Sequence, residues 1–142
     1  MFNIVLHQPE IPPNTGNIIR LCANTGSKLH LIHPLGFVIS EKNLERAALD
    51  YGEGVEIIHH KNFEAFLQNT QLRSYYSVST KGEPMMNDIS IKAGDYLMFG
   101  SETKGLPKGC LTHEKCQKVI RIPMADGSRS LNLSNSVAII VY

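Results

Sequence analysis

The chain has 142 residues, 42% hydrophobic and 19% charged, with a formal net charge of +1. This excludes a disordered tail and suits a single domain over 1–142, long enough to bury roughly two-thirds of its unfolded surface. The longest unbroken apolar stretch, Val137 to Tyr142, is far short of the ~20 residues that span a bilayer. The N-terminus lacks the basic start of a signal peptide, and three cysteines, an odd number, point to a reducing cytoplasm rather than a disulfide framework.

The small net charge is unevenly spread. Residues 1–98 carry eight Lys/Arg against ten Asp/Glu, whereas residues 99–142 carry six against three. A basic C-terminal third can meet a polyanion, but this excess is also that of an ordinary mixed surface.

In chain order, Phe2 to Leu6 reads as a buried strand, followed by the turn-rich Gln8-Pro-Glu-Ile-Pro-Pro13. From Asn14 to Thr25, Ile18, Leu21, Cys22 and Thr25 recur at i, i+3, i+4 and i+7, which predicts a helix stopped by Gly26. Leu29 to Ile32 is a second strand, and Ser40 is placed to cap a helix through Leu44, Ala47 and Ala48. Val55 to Ile58 is a third strand and Phe63 to Leu67 a short helix. Tyr75 to Val78, Tyr96 to Phe99 and Val119 to Ile122 are further strands, and a final helix begins at about Asn132. Strands alternating with helices predict an α/β fold, a mostly parallel sheet with helices on both faces, because parallel neighbours need crossover connections. Ligands of such sheets bind beyond the carboxyl ends of the strands. The loops after Leu6, Val78, Phe99 and Ile122 are therefore where chemistry is expected.

Several common sites are excluded. Gly52-Glu-Gly54 lacks the third glycine of a dinucleotide fingerprint, and no G-x-S-x-G elbow is present. Gly100 to Gly105 has the glycine spacing of a phosphate loop, but Leu106-Pro107 stand where lysine and a hydroxyl residue are required. Cys110-x-x-His113-x-x-Cys116 offers three ligands where a structural zinc site wants four. Two half-buried cysteines and a surface histidine, with no metal, is the preferred reading, and His59-His60 is read the same way.

Three constellations remain. Asn17, Arg20 and Asn24 form one stripe beside the apolar face of the first helix. They line a cleft, or else Asn14 and Gly16 merely cap the helix and Arg20 is solvated. Phe99 to Pro107 is a glycine-bounded loop after a strand. Glu102 in it suits hydrogen bonds from a ribose or amine, and Gly100 leaves room for a flat ring, so Gly100→Val is expected to abolish ligand binding with the fold intact. The plain alternative is a surface loop with a helix starting near Pro107. Third, Ser128, Ser130, Asn132, Ser134, Asn135 and Ser136 crowd one helix start, and the following Val137 to Val141 are apolar all round, which predicts a fully buried helix whose polar N-terminus floors a ligand site.

Together these segments resemble the signature motifs of the SPOUT class of RNA methyltransferases, and the whole chain is similar to its small bacterial tRNA 2′-O-methyltransferases acting on the wobble nucleotide. Ile11 to Arg20, Thr80-Lys-Gly82, Asp95 to Gly100 and Ser130 to Ser134 carry the likeness. The resemblance implies a C-terminal trefoil knot, a homodimer, and transfer of the methyl of S-adenosylmethionine to the wobble ribose of tRNA, leucine tRNAs among them. Another RNA substrate, or a non-catalytic RNA-binding module, is the alternative. It further implies that Val78, Thr80, Gly100, Ile122, Ser130 and Leu131 hold the cofactor, and that Arg20 is catalytic with Asn14, Glu102 and Asn132. Lys104, Lys108 and Arg129 would contact RNA. Arginine's pKa above ~12 makes it a poor general base, so Arg20 is expected to grip phosphate and stabilise the developing alkoxide. The family continues the final helix for several turns, so a chain stopping at Tyr142 is expected to be cut short.

Overall fold

The computed structural model describes residues 1–38, 46, 54–84 and 89–142. The six strands are β1 (Asn3–His7), β2 (Lys28–Ile32), β3 (Ile57–His60), β4 (Tyr75–Pro84), β5 (Tyr96–Phe99) and β6 (Cys116–Arg121). They form one sheet in the order β3-β2-β1-β5-β4-β6, with every pairing parallel. Four helices lie among the described residues: α1 (Pro12–Thr25), α2 (Phe63–Thr70), α3 (Lys108–Thr112) and α4 (Leu133–Val141). The expected α/β architecture is what the chain adopts. The helix expected after Ser40 lies outside the described residues.

Both faces of the sheet are covered, because the two-residue period of a strand sends alternate side chains to opposite sides. Ile4, Leu6, Leu97 and Phe99 pack with Ile18 and Ile19 of α1 and with Val137 and Ile140 of α4. Val5 and Met98, between them in sequence, face the other way onto Phe66 of α2 and Cys110 of α3. Burial pushes the thiols of Cys22 and Cys110 up to about 12, so they act as small apolar side chains. All three cysteines are free thiols. Cys116 is half buried, and His113 packs edge-on against Phe63 instead of lying on the surface. Among the described residues no helix is long and apolar enough to cross a membrane.

Several boundaries differ from expectation: β6 runs from Cys116 to Arg121 rather than from Val119 to Ile122, α2 continues past Leu67 to Thr70, and three further shifts have a physical reason. α1 begins at Pro12, with prolines at its first two positions; a ring that pre-sets φ and lacks an N–H costs nothing there, so the supposed turn Pro12-Pro13 is the first turn of the helix. β3 is shifted to Ile57–His60 by its register with β2, which puts His60 opposite Ile32. β4 continues to Pro84 because Glu83 and Pro84 pair with Ile120 and Arg121. Ile120 is thus the partner of both Val78 and Glu83, with an irregularity in register between them. A Cβ on Gly82 would stand 2.7 Å from the Val119 carbonyl oxygen, so only glycine fits this close approach to β6.

The histidines on β2 and β3 are structural. The Asn3 Nδ2 donates to the Gly94 carbonyl, which leaves its Oδ1 to accept from His30 Nε2 at 3.1 Å. His30 Nδ1 must then accept, and His60 Nε2 donates to it at 2.9 Å. Both rings are buried, and His60 Nδ1 has no partner. Burial first, and the neighbouring His60 second, hold the His30 pKa at about 4. Unfolding restores it to ~6.5, so the contribution of a neutral His30 is complete above that value and is lost as pH falls toward 4. Thermal melts should be level from pH 8 to 7 and decline steadily below 6.5. His30→Leu should melt lower at pH 7.5, with two hydrogen bonds gone, but lose less on acidification; an unchanged acid slope would assign the effect to other groups.

Candidate active-site cleft

A cleft opens where the middle of β4, at the end of its pairing with β5, and the carboxyl ends of β5 and β6 meet the N-terminus of α4. Its walls are Val78 to Thr80, Phe99 to Glu102, Arg121, Ile122, Met124, Ser130, Leu131, Leu133 and Ser136. Its empty space, open mouth included, is about 590 Å³. The structure therefore brings together Val78, Thr80, Gly100, Glu102, Ile122, Ser130 and Leu131 from four separate segments. Parallel pairing of β4 with β5 and β6 aligns these three places, and the alternating apolar residues that build the core end there in apolar walls.

The loop after β5 is tied to the loop after β1 by two glutamates. Glu102 Oε2 accepts from the backbone amides of Glu10 and Ile11 at 2.8 and 2.7 Å. In return, the Glu10 carboxylate accepts from the Thr103 hydroxyl at 2.7 Å and from its amide at 3.3 Å. Hydrogen bonds from Thr103 and Ser101 hold the Glu10 carboxyl below its ordinary range. Glu102 was expected to serve a ligand. One of its oxygens anchors the chain at the start of α1, where Ile11 has no side-chain cap of its own, and the other, Oε1, is buried without a partner among the described residues. Neither Asn14 nor Gly16 caps α1.

Gly100 also serves another purpose than expected. A Cβ there would stand 2.1 Å from the Gly105 carbonyl carbon and 2.3 Å from the Leu106 nitrogen. The clearance belongs to the chain's own returning loop, which closes through a Ser101–Gly105 bridge, and not to a ligand ring. Gly100→Val breaks this loop, so the expectation that its fold stays intact is withdrawn.

At the start of α4, Asn132 is the cap: its Oδ1 accepts from the Asn135 amide and the Ser134 hydroxyl, and its Nδ2 donates to Asn14 Oδ1 at 3.0 Å. This bond joins the N-termini of α1 and α4. Ser128 and Ser130 precede the helix and are exposed. The helix is not fully buried; Ile139 is 50% exposed and Tyr142 83%, because this chain covers only the face toward α1 and the sheet. Asn17, Arg20 and Asn24 share an exposed face of α1 and do not line the cleft. Lys104, Lys108 and Arg129 are exposed as well. Sequence reasoning missed Glu10 and Arg121; only the spatial approach of two distant loops reveals the first, and the second was hidden in an apolar strand.

The pattern of the SpoU rRNA Methylase family matches residues 1–142. The chain is 54% identical over its whole length to a tRNA (cytidine(34)-2′-O)-methyltransferase of Saccharophagus degradans, covering 92% of that protein. It superposes with TM-score 0.86, at 41% identity over 98% of this chain and 90% of the other, on a structure described as giving insights into 2-OH methylation of C/U34 on tRNA. The SpoU methyltransferase AviRb of Streptomyces viridochromogenes, solved in complex with AdoMet, shares the fold at TM-score 0.83 and 22% identity, over 99% of this chain and 57% of the other.

The glutamate pair makes a direct expectation. Glu102→Ala leaves two amides before α1 unpaired, which costs about 1–2 kcal/mol and should lower Tm by roughly 3–8 °C. Glu102→Gln, which keeps an acceptor oxygen, should recover most of the loss in the same calorimetric melt. Equal losses in the two variants would mean that the negative charge, and not the hydrogen bonding, is what the loops require.

Proposed function

The chain belongs to the SpoU rRNA Methylase family, and from that footing we infer that it is a tRNA ribose methyltransferase, placing the methyl of S-adenosylmethionine on the 2′-hydroxyl of nucleotide 34 of the anticodon. The full-length likeness to the Saccharophagus enzyme carries this reading. The cleft fits the cofactor: Val78, Ile122 and Leu131 offer apolar walls for adenine, Ser79, Thr80 and Ser130 offer hydroxyls for a ribose, and the buried, unpartnered Glu102 Oε1 offers an acceptor. Bound there, S-adenosylmethionine supplies a methyl already activated by its sulfonium.

What remains for the protein is alignment and charge. Gly100, Thr80, Ile122, Ser130, Leu131 and Val78 are the residues proposed to hold the cofactor. Asn14 and Asn132, bonded to each other, brace the first turn of α1 against α4. Arg20, two turns further along α1, is then held by the same brace, and the planar guanidinium is assigned to phosphate and to the developing alkoxide. Lys104 and Lys108 flank the cleft loop and Arg129 precedes α4; all three are exposed and suit sequence-independent contacts with RNA phosphates. A single domain over 1–142 acting in the cytoplasm on tRNA agrees with these features. A homodimer, in which a second copy covers Ile139 and Tyr142, agrees with their exposure. A trefoil knot agrees with the pairing of Ile120 on both sides of the Ser79–Gly82 segment.

Bulk tRNA from cells lacking the activity, incubated with labelled S-adenosylmethionine, should acquire a ribose methyl at position 34, mapped by nuclease digestion and mass spectrometry. A methyl at another position, or on another RNA only, overturns the substrate; tRNA binding without cofactor binding overturns the enzyme. Arg20→Ala should slow single-turnover methylation at saturating tRNA by about a hundredfold or more, with cofactor affinity near wild type. A wild-type rate would reduce Arg20 to a docking residue.

A further inference from the structure

Two residues lining the cleft carry charge, Glu102 and Arg121. Glu102 is committed through one oxygen to the amides of Glu10 and Ile11. Arg121 ends β6, pairs with Pro84, and is half buried. Among the described residues the one ion pair is Lys28 with Glu56, 3.2 Å apart on the surface, so Arg121 has no carboxylate partner there. A half-buried arginine in a cleft wall, with no carboxylate partner among the described residues, is electrostatically incomplete until an anion joins it.

The rest of the wall identifies that anion. The apolar and hydroxyl residues already named account for the adenine and ribose of S-adenosylmethionine. They offer no counter-charge to the α-carboxylate of its amino-acid tail. A carboxylate is also the group that the fork of an arginine grips best, through two parallel hydrogen bonds.

We propose that Arg121 binds the α-carboxylate of the cofactor, making it the residue by which the cleft tells adenosyl compounds that carry an amino acid from those that lack one. This rests on the methyltransferase reading and names a contact within it. The arrangement also bears on alignment. With adenine against the strand ends and the carboxylate fixed at Arg121, the sulfonium between them is held at both ends, and the methyl cannot swing away from the site.

Calorimetry with two ligands tests the assignment: S-adenosylhomocysteine, which has the amino-acid tail, and 5′-methylthioadenosine, which does not. Arg121→Gln should weaken S-adenosylhomocysteine by about tenfold or more, the strength expected of a charge-assisted pair, and leave 5′-methylthioadenosine within about twofold of wild type. Arg121→Lys, which keeps the charge without the fork, should fall between, and melts of both variants check that they are folded. Equal loss for both ligands, or no loss for either, overturns the proposal. So does a loss confined to tRNA affinity, which would assign Arg121 to an RNA phosphate. If the wild-type protein binds neither ligand, the methyltransferase reading itself fails, a result distinct from all of these.

Discussion

Two glutamates that exchange backbone partners hold the cleft in shape. Glu102 reaches from the loop after β5 to the amides before α1, and Glu10 reaches back to Thr103. The loop after β5 closes on itself through the Ser101–Gly105 bridge, whereas α1 lacks a side-chain cap of its own, and Glu102 supplies the acceptor missing there. The helix carrying Asn14 and Arg20 is thereby fixed relative to the wall that carries Gly100, so the proposed cofactor-holding and RNA-facing parts of the site share one frame. A carboxylate suits this task because it accepts several hydrogen bonds at once, and charge-assisted bonds of this kind are stronger than those between neutral groups.

Around that frame the backbone is packed too closely for side chains at two glycines. Gly100 lies against the returning Gly105–Leu106 backbone, and Gly82 lies against β6. Both belong to segments that line or border the cleft. Their lack of a Cβ is required by the close approach of the chain's own backbone.

The sheet was legible in the sequence because its strands are short apolar runs separated by turn residues and helical periods, and burial on both faces demands such runs. Tyr96 to Phe99 was read without error, since Asp95 and Gly100 bound it sharply. Pro12-Pro13 misled, because a proline pair marks a turn and a helix start with the same residues. The polar cluster before α4 was read as a ligand floor, and Ser130 and Ser136 do line the cleft, yet the individual roles were not legible: Asn132 caps the helix and its amide reaches Asn14. The structural roles of Glu102 and Gly100 were missed for a common reason. Each is explained by a partner that is distant in sequence or brought near by a fold-back, and no local pattern records such a partner. The His30–His60 pair was invisible for the same reason: adjacent strands, thirty residues apart, put the rings together.

The walls of the cleft also set when it can exist. They are drawn from residues near 78, 100, 121 and 130–136. A ribosome delivering this chain from its N-terminus releases the β1, β2 and β3 segments early, but β4 cannot acquire β6 until some forty further residues have emerged. Contacts that distant in sequence are slow to form, and here they complete the binding site as well as the fold. The nascent protein therefore lacks this cleft until the segment through residue 136 has been made. From then on, any ligand that occupies the cleft stabilises by mass action the contacts that were last to form.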